Sequence, residues 1–273
     1  MTPYLSIIRY RNCVTSAVAV LLGALVATGS SFLHHIIQTV LAMVVVFLFT
    51  GAGNTLNDYL DRDIDKTAHP DRSIPSGRMK PAAARLYASV LFALSVLLTF
   101  PLGLYPLAIV FLSLAIMLLY EFKMKSLGLG GNLSIAWLTA SLFLFGAVST
   151  GHVLPIWAFF VTSFLATLGR EVIKDIEDMD ADKGKRRTLP LSIGKSKSMW
   201  VSAIGFAGAI VVSPFPFIIH QFGLGYLFIV AAADIIFIYS GILQITDAHK
   251  AQNVCKYAMY VALLAFLAGA AGG

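Results

Sequence analysis

Hydrophobic and polar positions along the 273-residue chain segregate on a long scale: apolar blocks separated by short polar ones. A helix rises 1.5 Å per residue, so about 20 mostly apolar residues cross a hydrocarbon core. Nine blocks predict such helices, at about 13–30, 35–57, 84–101, 104–121, 132–150, 154–173, 199–219, 223–244 and 254–271. Proline and glycine punctuate them. Pro101 and the stretch 103–106 part the third from the fourth, Pro155 opens the sixth, and Pro214 and Pro216 disturb the end of the seventh. The first block reads as a span and not as a cleavable leader, because eight more follow and no A-x-A-like site leads into a soluble domain. The expectation is a single all-α, polytopic membrane domain over residues 1–273.

Composition supports this. Hydrophobic types make up 58% and charged types 12%, and the mean hydropathy is +0.81. Soluble domains carry about 25% charged residues, so a disordered chain and a soluble globule are both excluded. Two cysteines, Cys13 and Cys255, do not make a disulfide scaffold.

The charges then orient the spans. All 20 Lys and Arg fall at the N-terminus (Arg9, Arg11) or in the loops after spans two, four, six and eight. The opposite connections, 31–34, 102–103, 151–153 and 220–222, carry none. By the positive-inside rule the N-terminus and these loops are cytoplasmic and the C-terminus is outside, in a cell membrane. The net charge of +6 reflects this topology and anionic ligands. No zinc-finger, RNP or helix-turn-helix pattern points to nucleic acid.

Of the 14 acidic residues, all but Glu121, Asp234 and Asp247 lie in 58–71 or 171–182. Each stretch contains D-x2-D-x3-D: Asp58, Asp61 and Asp65, preceded by Asn57 and Asn54, and Asp175, Asp178 and Asp182. Positions i, i+3 and i+7 share a helix face. Each motif therefore projects three carboxylates from a helix end, while Asp63, Glu177 and Asp180 point off those faces toward solvent. Like charges gathered near a membrane need a cation among them, and carboxylate and amide oxygens suit Mg²⁺. One such motif is as readily an acidic loop balancing nearby Lys and Arg. Two copies at same-side helix ends point instead to a shared diphosphate. Cations flank both: Arg72 and Arg78 after the first; Lys123 and Lys125 between them, with the polar Tyr120 and Asn132; Arg170 and Lys174 beside the second; and the run 185–187 beyond it. Arg170 and Lys174, expected to be buried, are the strongest candidates for an anionic partner. Arg9 and Arg11 serve equally as membrane anchors or as ligands.

These motifs make the chain resemble the UbiA superfamily of intramembrane prenyltransferases over its whole length. Within that family, Arg11-Asn12-Cys13, the stretch Gly53–Asp58, the stretch Arg170–Asp178 and Arg187-Thr188-Leu189-Pro190 look like the archaeal branch. That branch adds a second geranylgeranyl chain to geranylgeranylglyceryl phosphate. Ser73 departs from the family's Arg-Pro-x-Pro, which loosens a turn and removes no ligand. The resemblance implies nine transmembrane helices bundled around a central cavity, capped by loops 2–3 and 6–7. It also implies an allylic prenyl diphosphate donor, a lipid-phosphate acceptor, membrane lipids as surroundings, and Mg²⁺ held by Asn57, Asp58, Asp61, Asp65, Asp175, Asp178 and Asp182 as the catalytic set. Asn54, Arg11, Arg72, Arg78, Tyr120, Lys123, Asn132, Arg170 and Lys174 would bind substrate.

Other readings are an aromatic acceptor such as 4-hydroxybenzoate in quinone synthesis, a CDP-alcohol transferase and a cation-coupled transporter. The D-G-x2-A-R signature of the CDP-alcohol transferases is absent. A transporter places its carboxylates at the midplane, where Asp234 alone stands. Asp234 is read as a hydrogen-bonded packing residue, and His69 as lacking metal-ligand spacing with the aspartates.

Overall fold

The structure is a computed structural model and describes residues 2–152, 156–184 and 187–272. Pro155, and Lys185 and Arg186 of the basic run, lie outside the described residues. Among the described residues there is no strand, and nine helices have 18 residues or more: α1 (Tyr10–Thr28), α2 (Ile36–Leu60), α3 (Pro81–Thr99), α4 (Leu104–Phe122), α5 (Leu129–Ser149), α6 (Trp157–Glu177), α7 (Lys195–Val212), α8 (Leu224–Leu243) and α9 (Ala248–Gly272). Each overlaps one of the nine apolar blocks. Seven segments are long and apolar enough to cross a membrane. α1 and α2 enter that set as one, because the 3-10 turn Gly29–His35 keeps the run helical from Tyr10 to Leu60. α6 does not enter it, because every 18-residue stretch of it holds Arg170, Glu171 and Lys174.

The breaks fall where the backbone demands them. Pro101 sits in a 3-10 turn, Phe100–Leu102, and Gly103 follows at φ 103°, a conformation that L side chains rarely adopt. α7 stops at Val212, and a short helix, Phe215–Ile218, carries Pro216 near its start. The outer surface is apolar, with Leu104, Phe228, Trp200 and Val211 all exposed on it. Such a surface suits acyl chains and not water.

Each long helix packs on the next, and α9 returns to α1, closing a ring. Further contacts cross its interior, the most extensive being α1 against α5 and α6 against α9. Glycine permits the first. A Cβ at Gly146 would stand 2.0 Å from the Val20 carbonyl oxygen, and one at Gly23 would stand 2.1 Å from that of Phe143. In lipid, where apolar side chains gain nothing by leaving solvent, such small-residue crossings let backbones approach and maximise dispersion contacts. The expected central cavity is consequently off-centre. The α1–α5 crossing closes the middle, and the open space lies among α1, α2, α4 and α5. The α6–α9 side is largely taken up by packed aromatic rings, among them Phe159 stacked on Phe266 at 4.5 Å, and keeps a smaller cavity of about 150 Å³.

The helix ends that carry the basic groups gather at one end of the bundle, tied there by contacts such as Lys125–Asp61, Arg9–Asp58 and the Gly128 amide donating to the Arg187 carbonyl. At the other end His35 meets His152, with ring centroids 4.9 Å apart. Gly146→Val would force α1 from α5, an overpacking cost of about 1–3 kcal/mol. A lower thermal unfolding temperature and loss of a monodisperse peak in detergent are expected. Wild-type behaviour would show the crossing to be unimportant.

Candidate functional site

Both aspartate motifs straddle a kink. α2 ends at Leu60, Asp61 takes φ −83° and ψ 3°, and a short helix, Arg62–Ala68, follows. In the second motif Asp178 takes φ −83° and ψ 2° between α6 and Met179–Asp182. In each, the middle aspartate's amide bonds four residues back at 2.9 Å. The third bonds back to the middle one, at 2.9 and 3.0 Å respectively.

The first motif is buried, and burial of a carboxylate requires partners. The side chains of Asp58 and Asp65 are 4% and 5% exposed. Arg9 donates to Asp58 at 2.5 Å. Arg72 donates to Asp65 at 2.6 Å and lies 3.5 Å from Asp58. Lys125 donates to Asp61 at 2.5 Å and lies 3.6 Å from Glu121. The Asn57 amide Nδ2 donates to both Glu121 oxygens at 3.1 Å. Arg9 reaches this network from a left-handed backbone, φ 51°, between the short helix Pro3–Ile7 and α1. A non-glycine residue held there is strained, and surrounding contacts must over-determine it. Ser73 is buried, and its hydroxyl donates to the Pro3 carbonyl at 3.4 Å, tying the motif's loop to that N-terminal helix.

These side chains wall a cavity of about 1220 Å³. Asn54, Asn57, Asp61, Asp65, His69 and Arg72 face it from the first motif, together with Arg9. Tyr120, Glu121 and Lys125 face it from the end of α4, and Asp178 and Asp182 from the second motif. Beneath it lies an apolar cavity of about 380 Å³ with Val45, Val110, Leu142 and Phe145 in its walls. Asn54, Met117, Ile135 and Leu138 border both.

Several expected residues stand elsewhere. Asp58 lies behind the wall and grips Arg9 and Arg72 from there. Asp175 sits beside the buried Asn132, off the lining. Arg170 pairs with Glu171 at 2.8 Å, while Lys174 lies 3.8 Å from Glu171 and is half-exposed, not buried. Arg11 is exposed against Tyr10, and Arg78 donates to the Asp71 carbonyl and to Ser76. Lys123 is exposed because α4 ends at Phe122, and the turn Met124–Ser126 brings Lys125 back over Asp61 instead. Arg9, read equally as an anchor or a ligand, stands in the wall, while Lys125 and Glu121 are wall residues that were not among the expected ligands. The available signal was Glu121, one of three acids outside the motifs, four residues before Lys125 on the cationic side.

Asp63 and Asp180 are solvated as expected, and Lys66 and Lys183 hold their carboxyls below the ordinary value. Glu177 is not: His249 of α9 meets it at 2.6 Å. Asp234 accepts from the Ser213 hydroxyl at 2.6 Å, as a packing residue does.

Among the described residues no three His, Cys, Asp or Glu side chains are gathered as a ready metal shell. The two motifs instead present hard oxygens across one cavity, a donor set that suits Mg²⁺ sharing its coordination with phosphate oxygens and water.

Comparison with known proteins places this geometry. Residues 16–267 match the UbiA prenyltransferase family. The digeranylgeranylglyceryl phosphate synthase of Methanocaldococcus jannaschii is 36% identical, over 98% of this chain and 95% of that protein. The protein of the same name from Methanosarcina barkeri is 39% identical, over 97% of each. A solved structure described as giving insights into the biosynthesis of digeranylgeranylglyceryl phosphate synthase in membranes superimposes with a TM-score of 0.92 at 35% identity, over 98% of each chain. A UbiA homologue from Archaeoglobus fulgidus, solved with GPP and Mg²⁺, shares the fold with a TM-score of 0.76 at 16% identity, over 98% of each chain.

Arg72→Ala strips the buried Asp65 of its cation, a change that costs about 3–5 kcal/mol for a fully buried pair and less here, where the Arg72 side chain is 28% exposed. Lys66→Ala removes an exposed, solvent-screened pair with Asp63. Thermal unfolding in detergent is expected to shift clearly for the first and little for the second. Equal shifts would refute the burial argument.

Proposed function

The chain belongs to the UbiA prenyltransferase family, and from that premise we propose that it transfers a geranylgeranyl group from its diphosphate to the hydroxyl of geranylgeranylglyceryl phosphate, releasing diphosphate. The chain is an integral membrane enzyme, a prenyltransferase. The observation that carries the specific reading is the pair of cavities with common walls: a polar one rich in carboxylates and cations opens onto an apolar one. A prenyl diphosphate has the same two parts in the same order. The relatives named digeranylgeranylglyceryl phosphate synthase, similar over nearly their whole length, support the choice of acceptor.

In this reading Asn57, Asp61, Asp65, Asp178 and Asp182 hold Mg²⁺, which neutralises the diphosphate as the allylic C–O bond breaks. Arg9, Arg72 and Lys125 point charge-assisted donors at the same oxygens, and Asp58 keeps the two arginines aimed. The apolar cavity takes the tail and keeps water from the reacting carbon, which would otherwise hydrolyse. All nine long helices cross the membrane within one domain, 1–273. The N-terminus and the polar cavity are cytoplasmic, the segments 61–80 and 178–194 cap that side, and the C-terminus is outside. Membrane lipids surround the apolar faces and supply the acceptor. Transport is disfavoured because the site's carboxylates lie at one end of the bundle and Asp234 is already engaged by Ser213.

The test offers the purified protein Mg²⁺ and geranylgeranyl diphosphate with geranylgeranylglyceryl phosphate or 4-hydroxybenzoate, and reads products by mass spectrometry. A doubly prenylated glyceryl phosphate is expected. A prenylated aromatic would move the protein to quinone synthesis. Asp61→Ala and Asp178→Ala should each abolish turnover in a folded protein, and full activity in either would sink the metal-binding assignment.

A further inference from the structure

Glu121 belongs to neither aspartate motif, yet its carboxylate is one of the most deeply placed in the cavity wall, with 4% of its side chain exposed. A carboxylate is costly at that depth. Lys125 lies 3.6 Å from it, a loose ion pair, and Lys125 bonds more closely to Asp61 at 2.5 Å. The tighter contacts of Glu121 are with the Asn57 amide, whose Nδ2 lies 3.1 Å from each oxygen. On the other side of that amide, Asn57 Oδ1 faces Arg9 Nη2 at 3.5 Å.

The two ends of an amide are chemically opposite. Nδ2 donates, Oδ1 accepts, and only Oδ1 can bind a cation. A carboxylate only accepts and a guanidinium only donates. Nδ2 also lies 3.4 Å from Asp61 Oδ2. With the closer carboxylate of Glu121 and the more distant one of Asp61 taking Nδ2, and Arg9 taking Oδ1, one orientation of the Asn57 amide satisfies all three neighbours, and the flipped one sets oxygen against carboxylates and NH₂ against guanidinium. The retained orientation turns Nδ2 toward α4 and leaves Oδ1 on the side of Arg9, which also lines the cavity.

We propose that Glu121 is a positioning residue that locks the Asn57 amide with its oxygen presented to the metal–diphosphate complex. The inference rests on the reading in which Asn57 is a metal ligand, and it assigns to α4 a part in building that site. Partners that orient a ligand typically contribute 10–100-fold to metal affinity. Glutamine at position 121 removes the closer of the two carboxylates that hold Nδ2 and offers an NH₂ of its own, to which the Asn57 oxygen can turn, so Glu121→Gln loosens the lock with little change in volume and leaves only the longer contacts to Asp61 and Arg9.

The experiment measures Mn²⁺ binding by electron paramagnetic resonance, on the full chain in detergent with geranylgeranyl diphosphate and no acceptor, so that no turnover is involved. Glu121→Gln is expected to weaken Mn²⁺ binding at least about tenfold. Asn57→Ala should weaken it similarly, and the double variant should be no worse than Asn57→Ala alone, because Glu121 acts through that amide. The exchanged pair, Asn57→Asp with Glu121→Gln, puts the donor on α4 and an oxygen-only group on α2, and should restore binding to within about threefold of wild type. Should Glu121→Gln alone fail to fold, the exchanged pair decides the matter. Wild-type affinity in Glu121→Gln, losses that multiply in the double variant, or no recovery in the exchanged pair would overturn the inference and leave the metal reading standing. Wild-type Mn²⁺ affinity in Asp61→Ala and Asp178→Ala would overturn that reading, and this inference with it.

Discussion

The constraint on which this end of the molecule depends is the burial of carboxylates at the edge of a hydrocarbon layer. Asp58, Asp65 and Glu121 are nearly sealed from solvent. Each would be costly alone, and each is met by a cation or an amide from another element. Those partners come from far apart in sequence: Arg9 before α1, Arg72 from the loop after α2, Lys125 from the turn after α4. The pairing thus draws the N-terminal segment, the α2–α3 loop and the α4–α5 turn over one mouth. The polar cavity and the closure of the bundle's end are products of the same electrostatic requirement.

A second constraint sets where that mouth opens. Lipid removes the hydrophobic incentive for helices to associate, so contact must come from close backbone approach. Gly23 and Gly146 supply it between α1 and α5. Because that crossing runs through the ring, it divides the interior. One side packs closely with aromatic rings around a small cavity, and the other keeps a larger void among α1, α2, α4 and α5 directly beneath the aspartates of α2. The second motif, at the end of α6, reaches the polar cavity above this void through Asp178 and Asp182.

The juxtaposition of the two cavities gives a charged patch a shape that matches an amphiphile. A purely polar cavity would take free phosphate, and a purely apolar one any lipid tail. Met117, Ile135 and Leu138 at the boundary, with Asn54 beside them, mark the level at which a ligand must change from head to tail. The family's chemistry, transfer of a prenyl group from a diphosphate, breaks its bond at that same change of character.

Much of this was legible in the chain, and the division has a physical basis. Helix positions follow from composition over about 20 residues, a local quantity, and each of the nine blocks overlaps a long helix with ends shifted by up to seven residues. The two aspartate motifs and the same-side placement of the cations are equally local, being set by spacing and by helix alternation. Which cation meets which carboxylate is not local. Lys123 and Lys125 differ by two positions in one turn, and only the exit of the chain from α4 decides that Lys125 faces Asp61. Arg170 and Lys174 looked like deep anion ligands, but a neighbour on their own helix, Glu171, takes them. Glu121 read as a stray acid until folding set it against Asn57, 64 residues away. The sequence by itself determined the number, length and polarity of the helices, because hydrophobicity and charge act residue by residue. The tertiary structure alone decided the off-centre cavity and the partners of each charge, because these depend on distances between elements that no local spacing encodes.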